Sequence, residues 1–222
     1  KDVAGFYVNR CLGPYLVEVM ACIAEGAFDD VDKAMVKFGF PMGPLTLGDM
    51  VGIDVAAKIV PNLAGELGAR VGGATTGPFD DLLEKGLLGQ KTKKGFFTYD
   101  DKLKKGSINP EALEIVKKYV KNTEGKPSVE EIGERCSSRF ALEAAICVQD
   151  GVVESPMHAD VGAVFGCGFP PFLGGPLRMI DSIGIKEFND RLRSYQNLYG
   201  DQWELPQILL DMEKNGTKFY ND

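Results

Sequence analysis

Between Val8 and Ala24 apolar residues recur at Val8, Cys11, Leu12, Tyr15, Leu16, Val19, Met20 and Ile23. This is the i, i+3, i+4, i+7 stripe that a helix lays against a core. Pro14 falls inside the stripe and is expected to kink it, and Gly26 stands where a left-handed residue would end it. Asp29 and Asp30 suit the N-cap of a short helix whose buried face is Val31, Ala34, Met35 and Phe38. The Gly39–Pro44 segment, Gly-Phe-Pro-Met-Gly-Pro, reads as a loop. A short helix to about Val51 follows, then one from Asp54 to Leu67 with Val55, Ile59, Leu63 and Leu67 at four-residue spacing. Residues 70–78, rich in Gly and Thr, read as loop, Phe79–Lys85 as a short helix, and Asn109-Pro110 as a helix start with Pro at the favoured first position. Residues 122–127 read as a linker, and Ser128 with Glu131 forms a capping box that opens the next helix.

The second half repeats the first. Arg10-Cys11, Glu18, Cys22 and Gly26 recur 125 positions later as Arg135-Cys136, Glu143, Cys147 and Gly151. Gly39-Phe40-Pro41 recurs as Gly168-Phe169-Pro170, and Gly43-Pro44, Asp49 and Gly52 recur as Gly175-Pro176, Asp181 and Gly184. The offset drifts through small insertions, which belong in loops. A repeat of this length predicts an all-α chain built as a tandem pair of helical domains, residues 1–121 and 128–222. Few stretches alternate with period two, so little or no sheet is expected.

Composition narrows the functional classes. A net charge of -7 argues against nucleic acid or an anionic membrane as the main partner. A phosphate-bearing cofactor needs only a few local lysines and stays open. No apolar run reaches the ~20 residues of a membrane helix. Five cysteines without a CxxC pair make a disulfide framework or zinc site an unsuitable reading and fit a reducing compartment. Cys11, Cys22, Cys136 and Cys147 lie inside the apolar stripes and read as packing residues.

Few residues carry chemistry. There is no GxGxxG after a strand, no P-loop, no GxSxG and no HExxH. The one histidine, His158, reads as a surface or capping residue. Asn9 is either a helix N-cap or a neutral amide lining an active site, and its chemistry alone favours the cap. The second copy has Glu134 at that position. Lys91, Lys93 and Lys94 flank Thr92 beside Gly95; the plain reading is a solvated turn, the functional one a phosphate or nucleotide contact.

Three segments then carry a resemblance: Gly5-Phe6-Tyr7-Val8-Asn9-Arg10, Phe38–Pro44 and Asp49–Asp54. They resemble the C-terminal domain of L-3-hydroxyacyl-CoA dehydrogenases, and Gly89–Phe97 is similar to that domain's closing G-x-K-[ST]-x-x-G-[FW]-[FY] segment. The second copy adds Asp160–Pro171 and Gly174-Gly175-Pro176, and tandem copies resemble the multifunctional fatty-acid β-oxidation enzymes of the mitochondrial trifunctional α-subunit kind. The resemblance implies a 6-phosphogluconate dehydrogenase C-terminal-like fold. It also implies an upstream Rossmann domain of the same polypeptide that holds most of the NAD and the catalytic His–Glu pair. The implied substrate is an acyl-CoA, and the implied assembly is a homo-oligomer or a hetero-oligomer with a thiolase subunit. By the same resemblance Asn9 matches an active-site Asn that would hold the substrate oxygen, Lys91 a lysine that contacts NAD, and Phe165 an aromatic position associated with substrate. Phe165 lacks the hydroxyl of some relatives, so packing is the role it retains. The mitochondrial matrix is the expected compartment, with the bacterial cytoplasm as alternative. The rival readings are a non-catalytic helical oligomerisation module and a free-standing acyl-CoA binder.

Overall fold

The computed structural model describes residues 2–71, 77–121 and 125–220. The expected loop over 70–78 and the expected linker over 122–127 therefore lie partly outside the described residues. Among the described residues the regular structure is helical except for one short hairpin. Its first half runs α1 (Val8–Ala24), α2 (Phe28–Phe38), α3 (Pro44–Val51), α4 (Ile53–Leu67), α5 (Pro78–Glu84) and α6 (Pro110–Lys117). Its second half runs α7 (Val129–Gln149), α8 (Pro156–Cys167), α9 (Pro176–Ile183), α10 (Ile185–Tyr199) and α11 (Gln207–Asn215). Two strands, β1 (Phe97–Tyr99) and β2 (Lys105–Ile108), pair antiparallel with Phe97 opposite Ile108 and Tyr99 opposite Lys105. Strands this short leave no legible alternation in a sequence window.

The repeat is visible in the elements. α1 to α4 and α7 to α10 follow in the same order, with α3 and α9 both 8 residues long and α4 and α10 both 15. The loop chemistry repeats as well. Asp32 on α2 accepts hydrogen bonds from the N–H groups of Leu45 and Thr46 at the start of α3, at 2.8 and 3.2 Å. Asp160 on α8 accepts from Leu177 and Arg178 at the start of α9, at 2.8 and 3.1 Å. Each aspartate thus satisfies N–H groups that a helix start leaves unpaired. A Cβ at Gly43 would lie 2.2 Å from Asp32 Cγ, and one at Gly175 would lie 2.4 Å from Asp160 Cβ, so both junctions need glycine for the carboxylate to come this close.

A second aspartate clamp also recurs. Asp49 accepts from the N–H groups of Phe96 and Phe97, both at 2.9 Å, and from Tyr99 Oη at 3.0 Å. Asp181 accepts from Phe219 and Tyr220 N–H at 3.0 and 2.9 Å. In each copy the distal aromatic segment is tied to the third helix of the repeat. The clamp at Asp49 also explains where the hairpin sits, since β1 begins on the residue it holds.

Helix ends follow their signals with one correction. Gly26 takes φ 90°, and Ala27 N–H bonds Cys22 O at 3.0 Å, closing α1 as a left-handed cap. Ser128 Oγ accepts from Glu131 N–H at 3.2 Å while Glu131 accepts from Ser128 N–H at 3.4 Å. Asn109 caps α6 by accepting from Glu111 N–H at 3.1 Å. Asp29 and Asp30, by contrast, are not the cap of α2: its N-cap is Ala27, and both acids occupy the first turn, where their charge complements the helix dipole.

By contacts the chain forms two compact units. One comprises Lys1–Tyr15, Leu63–Gly72 and Arg135–Asp222; the other comprises Leu16–Asn62 and Gly73–Glu134. α1, α4 and α7 each begin in one unit and end in the other, so the compact units do not follow the sequence halves. The core of the first unit includes Phe140, with Tyr15 edge-on at 6.4 Å and Phe169 at 5.3 Å. It also buries an ion cluster. Glu143, fully buried, accepts at one oxygen from Arg10 Nε at 3.0 Å and Arg70 Nη1 at 2.9 Å, and Arg10 Nη2 also reaches Asp150 at 2.6 Å. In the second unit Phe96 is the hub, against Phe79 at 5.4 Å and Phe28 at 6.1 Å.

Candidate functional site

Asn9 stands at the start of α1 on a tight turn. Phe6 takes a left-handed φ of 49°, unusual for a bulky residue, and donates from its N–H to Val3 O at 3.0 Å. The turn leaves Phe6 exposed and buries Tyr7. Asn9 N–H bonds Gly5 O at 3.2 Å, so Asn9 is already in the first helical turn. Its side chain is exposed and has no hydrogen-bond partner among the described residues. That geometry excludes the cap reading, since a cap side chain accepts from a backbone N–H two or three residues on. It leaves a neutral amide with a free donor and a free acceptor displayed outward.

The same unit brings α8 against this turn. A Cβ at Gly166 would lie 2.7 Å from Val8 Cγ2, and one at Gly162 would lie 3.1 Å from the Tyr7 ring. Cys167 Sγ points at Val8 O, 3.9 Å away. Small residues on this face of α8 therefore allow close approach to the residues that flank Asn9. Phe165, one residue before Gly166, is 86% exposed. Val161 and Met157, four and eight residues before it, are also exposed, so α8 shows an apolar row with Phe165 at its end.

Cys11 and Cys147 are fully buried, and burial pushes the Cys11 thiol well up; burial raises Cys167 to about 12. A thiol in that state stays protonated at neutral pH. His158 lies exposed in the first turn of α8, where Ser155 Oγ accepts from its N–H and sits 3.0 Å from Nδ1. Both contacts belong to the helix start.

Lys91 belongs to the other unit. It sits in a single 3-10 turn, Gln90–Thr92, after Gly89. Thr92 shapes that turn, accepting from Leu88 N–H and donating to Lys94 O, both at 3.0 Å. Lys93 and Lys94 are paired with Asp101 and Glu111. Lys91 Nζ lies 2.6 Å from Asp54 Oδ1, with its side chain 45% exposed, and holds the Asp54 carboxyl below the usual carboxylate range. An ammonium has three N–H donors. With one given to Asp54, the others remain for a phosphate or hydroxyl group, so Lys91 fits a single peripheral contact to a dinucleotide. The sequence contains no glycine-rich fingerprint to hold the rest of one. Sequence reasoning did not find Asp54 or Phe6: a pair 37 positions apart and a strained φ leave no periodic signal.

The chain is similar to known proteins in sequence and in fold. Residues 5–99 match the family model described as 3-hydroxyacyl-CoA dehydrogenase, C-terminal domain. Over 221 residues, 99% of its length, the chain is 45% identical to the fatty acid oxidation complex subunit alpha of Shewanella loihica. Over 224 residues it is 44% identical to the subunit of the same name from Vibrio vulnificus. The chain spans 31% of the length of each of these relatives. Its fold is similar to the crystal structure of the dehydrogenase part of multifunctional enzyme 1 from C. elegans, with TM-score 0.71 and 24% identity over 95% of this chain and 48% of that one. It is also similar to 3-hydroxybutyryl-CoA dehydrogenase from Escherichia coli, with TM-score 0.67 and 18% identity over 96% of this chain and 61% of that one. Residues 5–99 are thus similar to the C-terminal domains of 3-hydroxyacyl-CoA dehydrogenases.

Proposed function

We propose that this chain is the helical C-terminal part of an NAD-dependent L-3-hydroxyacyl-CoA dehydrogenase of fatty-acid β-oxidation, and that it works only with an upstream dinucleotide-binding domain of the same polypeptide. The observation that carries the reading is Asn9: an exposed amide with no side-chain partner among the described residues, held on a strained turn inside the segment that matches the dehydrogenase family model. Strain of this kind persists where the surrounding structure over-determines it, and such positions cluster at functional sites. When bound, NAD would supply the acceptor for the hydride from C3 of the 3-hydroxyacyl group. This chain's own residues bind and orient. Asn9 donates to the substrate oxygen and keeps it in place at every physiological pH, because an amide does not titrate there. Lys91 contacts the cofactor, and the exposed apolar row ending at Phe165 meets the acyl-CoA substrate.

The duplicated sequence supports two copies of one domain, 1–121 and 128–222, of which the second has Glu134 where the first has Asn9. The relatives are named as one subunit of a complex, which supports a hetero-oligomer, with a thiolase subunit as the proposed partner. Those relatives come from bacteria, which supports the bacterial cytoplasm over the mitochondrial matrix. The test is reduction of acetoacetyl-CoA by NADH in the full-length protein and its Asn9→Ala variant. Unchanged turnover in the variant refutes the assignment of Asn9.

A further inference from the structure

Comparison of the two copies separates scaffold from device. Gly52 and Gly184 end the third helix of each repeat with nearly the same backbone, φ 107° and 98°. What surrounds them differs. At Gly52 an added Cβ would lie 2.5 Å from Lys91 Nζ and 2.6 Å from Asp54 Oδ1; at Gly184 it would meet nothing within 4 Å. Two residues past Gly52 stands Asp54, and two past Gly184 stands Lys186, which bonds Asp190 on its own helix at 2.6 Å. The bare glycine and the carboxylate that seat a lysine are present together in the first copy alone. If the Lys91–Asp54 pair served only the fold, the second copy, which keeps both aspartate clamps, would have use for it too.

We infer that Asp54 is a positioning residue for the cofactor: together with the open space over Gly52 it seats the Lys91 ammonium so that its remaining N–H donors face the dinucleotide. This rests on the reading of Lys91 as a cofactor contact. A flexible lysine on a four-carbon stem otherwise loses rotamer freedom when it binds. The carboxylate takes up that ordering in advance, which lowers the cost of binding. The seat acts on cofactor binding and leaves the chemical step alone.

The experiment is a fluorescence titration of NADH into the full-length protein, run beside kcat, the KM for NAD and the melting temperature, for Asp54→Asn, Asp54→Glu, Lys91→Ala and the double variant Asp54→Asn/Lys91→Ala. Asp54→Asn is expected to weaken NADH binding and raise the KM for NAD by roughly two- to fivefold, the range of an exposed ion pair. Its kcat and melting temperature should stay near wild type. Asp54→Glu should recover most of the loss, and Asp54→Asn should add nothing in the Lys91→Ala background, because the two act as one unit. If Lys91→Ala binds NADH normally, the reading of Lys91 itself is wrong. If Lys91→Ala binds weakly while Asp54→Asn binds as wild type or more tightly, Lys91 stands and the positioning role of Asp54 is overturned. Equal losses from Asp54→Asn in both backgrounds also overturn it.

Discussion

Asn9 and Glu134 occupy the same place in the two copies and make opposite predictions. If Asn9 holds the reacting oxygen as proposed, Asn9→Ala in the full-length protein removes a positioned donor, and donors of that kind contribute about 3 kcal/mol in the transition state. kcat should therefore fall by about two orders of magnitude. Stability should barely change, since the Asn9 side chain is exposed and bonds nothing among the described residues, and such substitutions stay within about 0.5 kcal/mol. Glu134→Ala should leave kcat nearly unchanged. Parallel measurement of kcat and melting temperature decides between the readings: a variant that melts early but turns over normally would return Asn9 to a structural role. At this scale the sequence was half legible. The amide could be named from its motif, but its freedom from capping depends on the Gly5–Phe6 turn, which no residue pattern announces.

At the scale of elements the two helix junctions are built alike, and they should fail alike. Gly43→Ala drives a methyl into Asp32, whose Cα would lie 2.4 Å away, and Gly175→Ala does the same at Asp160. Overpacking of this sort costs about 1–3 kcal/mol, so each variant should lower the denaturation midpoint, with no change in far-UV helix signal below it. The buried ion cluster predicts a larger loss. Glu143→Ala strands Arg10, 5% exposed, without its main carboxylate, and breaking a buried pair from one side costs about 3–5 kcal/mol. A Glu143→Ala protein as stable as wild type would show that Asp150 alone satisfies Arg10. The helices themselves were legible because their stripes are long, and the capping box at Ser128 was legible because both partners lie three residues apart. The α2 cap was misplaced because Asp29 and Asp30 are as favourable in a first helical turn as at a cap, and the sequence gives no register to choose. The hairpin escaped notice because three- and four-residue strands show too few alternations, and because Asp49, 47 positions before Phe96, is what holds it.

At the scale of the whole molecule, duplication and division of labour go together. Both copies keep what a helical repeat needs to close on itself: an aspartate on the second helix over the start of the third, and an aspartate on the third helix over a distal aromatic pair. They differ where a ligand would be met, at Asn9 against Glu134 and at Asp54 against Lys186. Under the proposed function the first copy is the working one and the second serves packing: it supplies Glu143, which holds Arg10 one residue after Asn9. That arrangement predicts how this chain behaves by itself. It should fold, since each aspartate clamp and the buried ion cluster are complete within it, and it should melt cooperatively. It should reduce no acetoacetyl-CoA with NADH above background, because one amide and one peripheral lysine bind and orient but neither removes a proton nor holds a dinucleotide. Adding the separately expressed upstream region should restore measurable turnover only if the two parts bind each other. Turnover by this chain alone would place a complete active site within these 222 residues and overturn the division of labour between the copies.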